Sequence, residues 1–228
     1  MFGEYLDILK NAPLFEGLKT AQIAALLAAA GARLEIKEAG ESFIEQDEER
    51  PDIFVVLSGR AAGERLSVSG ALSRINEFLP GSEFGDLLSG SRERSPVTVR
   101  ALGRCAALRL SFDSLLSAQS AESERARVVR NLVAIASGKY FALTRRLELL
   151  TEPKLRRRIA ALLLPLFEEQ KADEISLPFD REGMAAYLGC ERSALSRALA
   201  GMRRRGAISY KKNHFRLLDL DILNKELF

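Results

Sequence analysis

The chain has 228 residues, 47% of them hydrophobic and 29% charged, with a formal net charge of +3, the balance of a soluble globular chain of one large or two modest domains. No apolar run approaches the ~18 residues that cross a bilayer, and the N-terminal MFGEYLDILKN lacks the basic-then-apolar layout of a secretion signal. The two cysteines, Cys105 and Cys190, stand far apart with no CxxC spacing, which points to reduced thiols and a cytoplasmic setting.

The charge is unevenly placed. Residues 1–150 carry 19 basic and 20 acidic side chains, and residues 151–228 carry 15 and 11. A basic C-terminal part suggests a polyanion as partner. Along the chain, LKTAQIAALLAAA (18–30) reads as a helix with Thr20 as its N-cap. From Ala32 to Leu110 short β-branched or alternating runs follow: 34–36, 53–57, 97–99 and 106–110. Glycines punctuate them, as in an antiparallel barrel or jelly roll. From Ser120 to Leu150 the texture is helical. Val129, Val133, Ala136, Tyr140, Leu143, Leu147 and Leu150 are spaced alternately four and three apart, a heptad seam. The stripe fits a helix packed on its own β domain, or a two-helix coiled coil across a homodimer. Its unbroken length favours the coiled coil.

Glu152-Pro153 breaks this helix and marks the expected hinge. The expected division is therefore 1–119 as a sensory β domain, 120–150 as a dimerisation helix and 151–228 as a third part. A further helix at 154–169 and a short strand at 174–177 come next.

The stretch REGMAAYLGCERSALSRALAGMRRRG (181–206) carries the clearest signal. Asp180 is placed to cap a first helix whose inward face is Met184, Ala185 and Leu188. Gly189 suits the left-handed turn that ends it. A second helix from about Glu191 to Arg204 buries Leu195, Leu199 and Met202 and turns Arg192, Ser193, Ser196 and Arg197 outward. From Arg192 to Lys212 there are seven basic residues and no acid. Two helices around a tight turn, the second basic, form the physical core of a helix-turn-helix that reads double-stranded DNA. Arg192, Ser193, Ser196 and Arg197 are expected at base edges. Arg203, Arg204 and Arg205 are expected near the backbone. After Gly206, residues 208–211 and 215–217 form a hairpin with His214 at its tip, a wing whose Lys211, Lys212 and Arg216 meet phosphates.

This order of parts resembles the Crp/Fnr family of bacterial transcription regulators over nearly the whole chain. Ala12-Pro13-Leu14-Phe15-Glu16-Gly17-Leu18 looks like the family's opening PLFxGL, and Phe84-Gly85-Asp86-Leu87 followed by Arg94-Ser95 looks like its effector cassette. Leu188–Arg197 looks like its recognition helix. The resemblance implies an α+β fold: a cyclic-nucleotide-binding-like β jelly roll, a long dimerisation helix and a C-terminal winged helix-turn-helix. It also implies a homodimer on a roughly palindromic site, control by a small effector and contact with RNA polymerase. The effector residues it implies are Gly85, Asp86, Leu87, Arg94 and Ser95, with Thr144 on the long helix. Asp86 is one methylene shorter than the usual glutamate, and Pro96 removes a backbone N–H. A cyclic nucleotide is therefore one reading, another small effector a second, and a purely structural Asp86–Arg94 pair a third. Ser193 stands where cyclic-AMP-binding members carry a glutamate that reads cytosine, so a different half-site is expected.

Other functions fit less well. The only histidine is His214, so no metal is expected and an enzyme of the metal-binding jelly-roll type lacks its ligands. No GxSxG, HExxH or P-loop pattern occurs. The remaining alternative is a cyclic-nucleotide-responsive module acting on a protein partner, which leaves the basic C-terminal stretch without a purpose.

Overall fold

The run Ile53–Leu57 organises the N-terminal half, because both of its faces are buried. The computed structural model describes residues 2–49, 52–66, 70, 72–91, 93–118, 121–170 and 174–227. Its first elements are α1 (Leu6–Asn11), α2 (Thr20–Ala29), β1 (Arg33–Lys37), β2 (Ser42–Ile44) and β3 (Asp52–Ser58). Then come β4 (Ala61–Leu66), β5 (Leu72–Phe78), β6 (Glu83–Phe84), α3 (Asp86–Ser89), β7 (Thr98–Ala101), β8 (Cys105–Ser111) and α4 (Phe112–Ser117). Two four-stranded sheets form, in the orders β1-β8-β3-β6 and β2-β7-β4-β5. Every pairing is antiparallel, which gives the jelly-roll sandwich expected from the sequence.

Phe54 and Val56 of β3 face the space between the sheets, with Phe43, Phe84, Val99 and Cys105. The Phe54 and Phe84 rings stack at 4.9 Å, and Phe78 leans on Phe84 at 5.1 Å. Ile53, Val55 and Leu57 face the other way, onto Leu9, Phe15, Ile23 and Leu26. A strand covered on both faces reads as a continuous apolar run rather than an alternation. The N-cap expected at Thr20 moves one residue back. The backbone N–H of Lys19 donates to Gln22 Oε1 at 3.0 Å, and Thr20 is the first helical residue. The glutamine makes the reciprocal half of a capping box, accepting the N–H of the residue before the helix, in place of a threonine hydroxyl accepting from the first turn.

Helix α5 (Glu122–Thr151) follows; its expected start at Ser120 lies outside the described residues. Val128 and Leu132 are buried in the helical side of the first core. Asn131 Nδ2 donates to the carbonyls of Leu14 and Glu16, each at 3.0 Å. The chain divides into two compact units, one ending at Gly138 and one beginning at Lys139. Pro153 does end the helix, yet the last turns of α5 pack inside the second unit, where Leu149 is buried. Of the heptad stripe, Val129 packs against the first core. Val133, Tyr140, Leu143, Leu147 and Leu150 are exposed, from 38% for Leu150 to 64% for Tyr140.

The second unit continues with α6 (Leu155–Gln170), β9 (Ile175–Ser176), α7 (Arg181–Tyr187), α8 (Arg192–Arg204), β10 (Ile208–Lys211), β11 (His214–Leu217) and α9 (Leu220–Leu227). The three strands make one small sheet in the order β10-β11-β9. Its core gathers Ile159, Leu163, Leu188, Leu195, Leu199 and Phe215.

Candidate nucleic-acid interface

Helix α7 begins where the sequence places it: the backbone N–H of Gly183 donates to Asp180 Oδ1 at 2.9 Å. Met184, Ala185 and Leu188 are buried against Leu195, Leu199 and Met202 of α8. Between the helices Gly189 takes φ +61°. A Cβ there would lie 2.7 Å from Leu150 Cδ2, the movable end of a side chain, so the backbone conformation is what calls for glycine.

The turn is held from outside by Arg158 of α6. Its Nε donates to the Glu152 carbonyl at 2.6 Å, and its Nη1 donates to the carbonyls of Leu188 (2.7 Å) and Gly189 (3.3 Å). The Leu188 and Gly189 carbonyls lie past the end of α7 and the Glu152 carbonyl past the end of α5, where no helical N–H reaches them. Sequence reasoning missed this brace, because Arg158 sits in the run Arg156-Arg157-Arg158 and nothing local separates the three.

With its apolar face committed, α8 exposes Arg192, Ser193, Ser196, Arg197, Arg203 and Arg204. The Ser196 hydroxyl donates to the Arg192 carbonyl at 2.9 Å. Lys211 and Lys212 are exposed on the wing, a hairpin closed by Lys212 and Asn213. Among the described residues, Arg192, Arg197, Arg203, Arg204, Lys211 and Lys212 have no ion-pair partner. A row of unneutralised cations on one helix and its neighbouring hairpin is an anion-binding surface. Arg192 and Lys212 also line a shared recess of about 360 Å³ with Asp180, Arg181, Glu182 and Asn213.

The remaining polar residues of this face have partners of their own. His214 belongs to β11 rather than to the hairpin tip, and its Nδ1 lies 2.9 Å from Ser176 Oγ and 3.3 Å from Glu174. Arg216 pairs with Glu174 at 3.5 Å, which offsets its charge. Arg205 pairs with Glu226. Arg203 lies over the Tyr210 ring at 5.2 Å. Arg181 is a second brace the sequence did not disclose. Its Nη2 donates to the Lys212 carbonyl at 2.9 Å, and its guanidinium sits 5.0 Å from the Tyr210 centroid and 5.4 Å from that of Phe215. Burial holds its pKa below the usual arginine value. Arg181 fixes the wing against the start of α7. A basic residue opening α7, one helix ahead of the wing aromatics Tyr210 and Phe215, is the sequence trace of this role.

The cassette residues of the first unit lie around β6 and α3. Gly85 takes φ +74°, and a Cβ there would meet the Asp52 carbonyl oxygen at 2.4 Å. The backbone turn from β6 into α3 therefore requires glycine. Asp86 opens α3, and Leu87 is 54% exposed. Arg94 Nη1 donates to the Asp47 carbonyl at 3.3 Å. Ser95 is buried, and its hydroxyl donates to the Val97 carbonyl at 2.6 Å. Thr144 belongs to the second unit, where its hydroxyl donates to the Tyr140 carbonyl at 3.0 Å. Asp52, beneath Gly85, is held by Arg109 through Nε at 2.9 Å and Nη2 at 2.8 Å. Among the described residues no helix is long and apolar enough to cross a membrane.

Comparison with known proteins agrees with both halves. Residues 35–121 match the model of the cyclic nucleotide-binding domain, and residues 157–226 match that of the Crp-like helix-turn-helix domain. The chain is 25% identical to the nitrogen fixation regulation protein FixK of Bradyrhizobium diazoefficiens, over 79% of this chain and 76% of that protein. Its fold is similar to that of the Thermus thermophilus catabolite activator protein, with a TM-score of 0.56 and 20% identity over 95% of this chain and 99% of that one. It is similar also to the c-di-GMP-responsive regulator CLP of Xanthomonas campestris, with a TM-score of 0.56 and 19% identity over 88% and 100% of the two chains. With a cyclic-nucleotide-binding sandwich, a long helix and a Crp-like reader in this order, the chain belongs to the Crp/Fnr family of transcription regulators.

Proposed function

We propose that the protein acts as a homodimer that binds a specific, roughly palindromic DNA site under the control of a small effector. The observation that carries this reading is the set of six cations on α8 and the wing with no counter-charge among the described residues. The buried opposite face of α8 allows only this face to meet a ligand. Arg192, Ser193, Ser196 and Arg197, near the N-terminus of α8, meet base edges in the major groove. Arg203, Arg204, Lys211 and Lys212 meet phosphates. The exposed stripe Val133, Tyr140, Leu143, Leu147 and Leu150 supports pairing with a second copy across α5, because an apolar seam of this length is costly to leave in water. The functional parts are then the sandwich (1–119), the pairing helix (120–150) and the reader (151–228), with the last turns of α5 packed into the reader's core.

The effector reading rests on the family match and on the open cassette face at Gly85, Asp86, Leu87 and Arg94. Ser95 supports the loop from beneath, since its hydroxyl is bonded to the Val97 carbonyl, its backbone N–H to the Glu48 carbonyl and its carbonyl to the Asp47 N–H. A direct test is the salt dependence of binding to a duplex recovered by site selection. Four phosphate-facing cations per protomer give eight per dimer, hence a slope of log Kd against log salt of about 7 in magnitude. A slope near zero, or a selection that recovers no consensus, removes the DNA-reading proposal. Equal affinity with and without every candidate effector removes the switch but leaves the reader.

A further inference from the structure

A cavity of about 520 Å³ lies inside the second unit, between the last turns of α5 and helix α6. That volume is in the range of small-molecule sites. Most of its wall is hydrocarbon, from Leu149, Leu162, Pro165 and Leu166. On α5 it uses Ala142, Arg145, Glu148, Leu149 and Glu152, whereas the exposed stripe uses Tyr140, Leu143, Leu147 and Leu150. At ~100° per residue the two sets point roughly 175° apart. A second copy seated on the stripe therefore leaves the cavity open.

The polar groups in it are few and specific. Arg157 and Glu152 pair at 3.6 Å and offset each other. Among the described residues, Arg145 and Glu148 have no ion-pair partner and the Tyr187 hydroxyl has no hydrogen bond. The Tyr187 ring itself is fixed, stacked on Phe179 at 5.2 Å with Arg146 at 5.1 Å from its centroid. Pro165, inside α6, has no N–H to give the Ala161 carbonyl four residues back. Among the described residues the cavity thus offers Arg145 as a free cation, Glu148 as a free carboxylate one helical turn away, a hydroxyl donor, and apolar walls.

We propose that this cavity binds a zwitterionic small molecule with an apolar side chain, the chemistry of a hydrophobic α-amino acid. Its carboxylate is taken by Arg145 and the Tyr187 hydroxyl, and its ammonium by Glu148. Residues three apart on a helix have side chains ~5–6 Å apart at Cβ, a spacing that suits opposite charges carried on one carbon. Tyr187 is the last residue of α7, so the occupant touches the first helix of the reader.

The test is calorimetric titration of the full chain with L-phenylalanine, phenylpropionate and phenethylamine. One L-phenylalanine per chain is expected, and each truncated probe binds about ten-fold more weakly because it forfeits one charge-assisted contact. Arg145→Gln abolishes the preference over phenethylamine, and Glu148→Gln abolishes the preference over phenylpropionate. Ala142→Trp, at an exposed position that disturbs no core, fills the space and removes binding; Arg104→Gln on the surface of the sandwich changes nothing. The proposal is overturned by no saturable L-phenylalanine binding, by equal affinity for the three probes, by tighter binding of either truncated probe, or by binding that survives Ala142→Trp.

Discussion

Replacing Arg158 with methionine keeps most of the side chain's bulk and removes its donors. Two of the three bonds lost are short, 2.6 Å to the Glu152 carbonyl and 2.7 Å to that of Leu188. Hydrogen bonds from a charged donor contribute ~1.5–3 kcal/mol each. The third, to Gly189, is longer and exposed, and water can replace it. Discounting for partial rehydration of the Leu188 carbonyl, the second unit should lose about 2–3 kcal/mol. In urea that is a midpoint shift of roughly 1 M at an m-value of ~2 kcal/mol/M. Lysine should recover less than half, because a single ammonium cannot fork between carbonyls on opposite sides. DNA affinity should fall with Arg158→Met even well below the unfolding midpoint, because the turn that aligns α7 and α8 loosens. A stability loss below about 0.5 kcal/mol, or a lysine variant equal to wild type, would refute the idea that this guanidinium organises the turn.

Arg197→Ala should cost ~1–3 kcal/mol of specific binding and relax the sequence preference at one position, whereas Lys212→Ala should weaken all duplexes alike and lower the salt slope by about one per protomer; anisotropy titrations separate the two. Leu147→Glu places a charge on the exposed stripe and should convert dimer to monomer in sedimentation, without lowering the stability of either unit. Burial raises the Cys105 pKa to about 11, so at pH 8 its thiolate is scarce and a disulfide reagent should modify it only after unfolding. The partly exposed Cys190, raised less, should react first, and native-state labelling of Cys105 before Cys190 would contradict the burial seen here.

The reader was legible because its signals are local. A capping aspartate, a glycine at the turn and a period-3.6 apolar face each act within four residues, and Asp180, Gly189 and Leu195 sit where those rules place them. The jelly roll was legible only through strands that carry apolar residues. Strands β2 and β6 are too short to show a pattern, and β5 lies exposed along nearly all its length, so the β4–β5 hairpin has no hydrophobic alternation to read. Arg158 and Arg181 were invisible for another reason: a guanidinium that braces a carbonyl and one that faces solvent have the same sequence. The heptad stripe was read correctly as helical, but which of its members face water depended on where the first core ends. Val129 falls inside that core and Val133 outside it.

Strand β3 cannot settle until β8 arrives, because Ile53 pairs with Leu110 and Phe54 with Arg109 across more than fifty residues of intervening chain. Strand β1 waits longer still, since Arg33 also pairs with Arg109. The reader's hairpin joins Lys211 to His214 with only two residues between them. Closing long loops before any contact rewards them slows folding. Refolding of this chain is therefore expected in two kinetic steps, with the reader assembling first and the sandwich closing last. During synthesis the order of emergence is reversed, so the slow-closing half has a head start that dilution from denaturant does not give it.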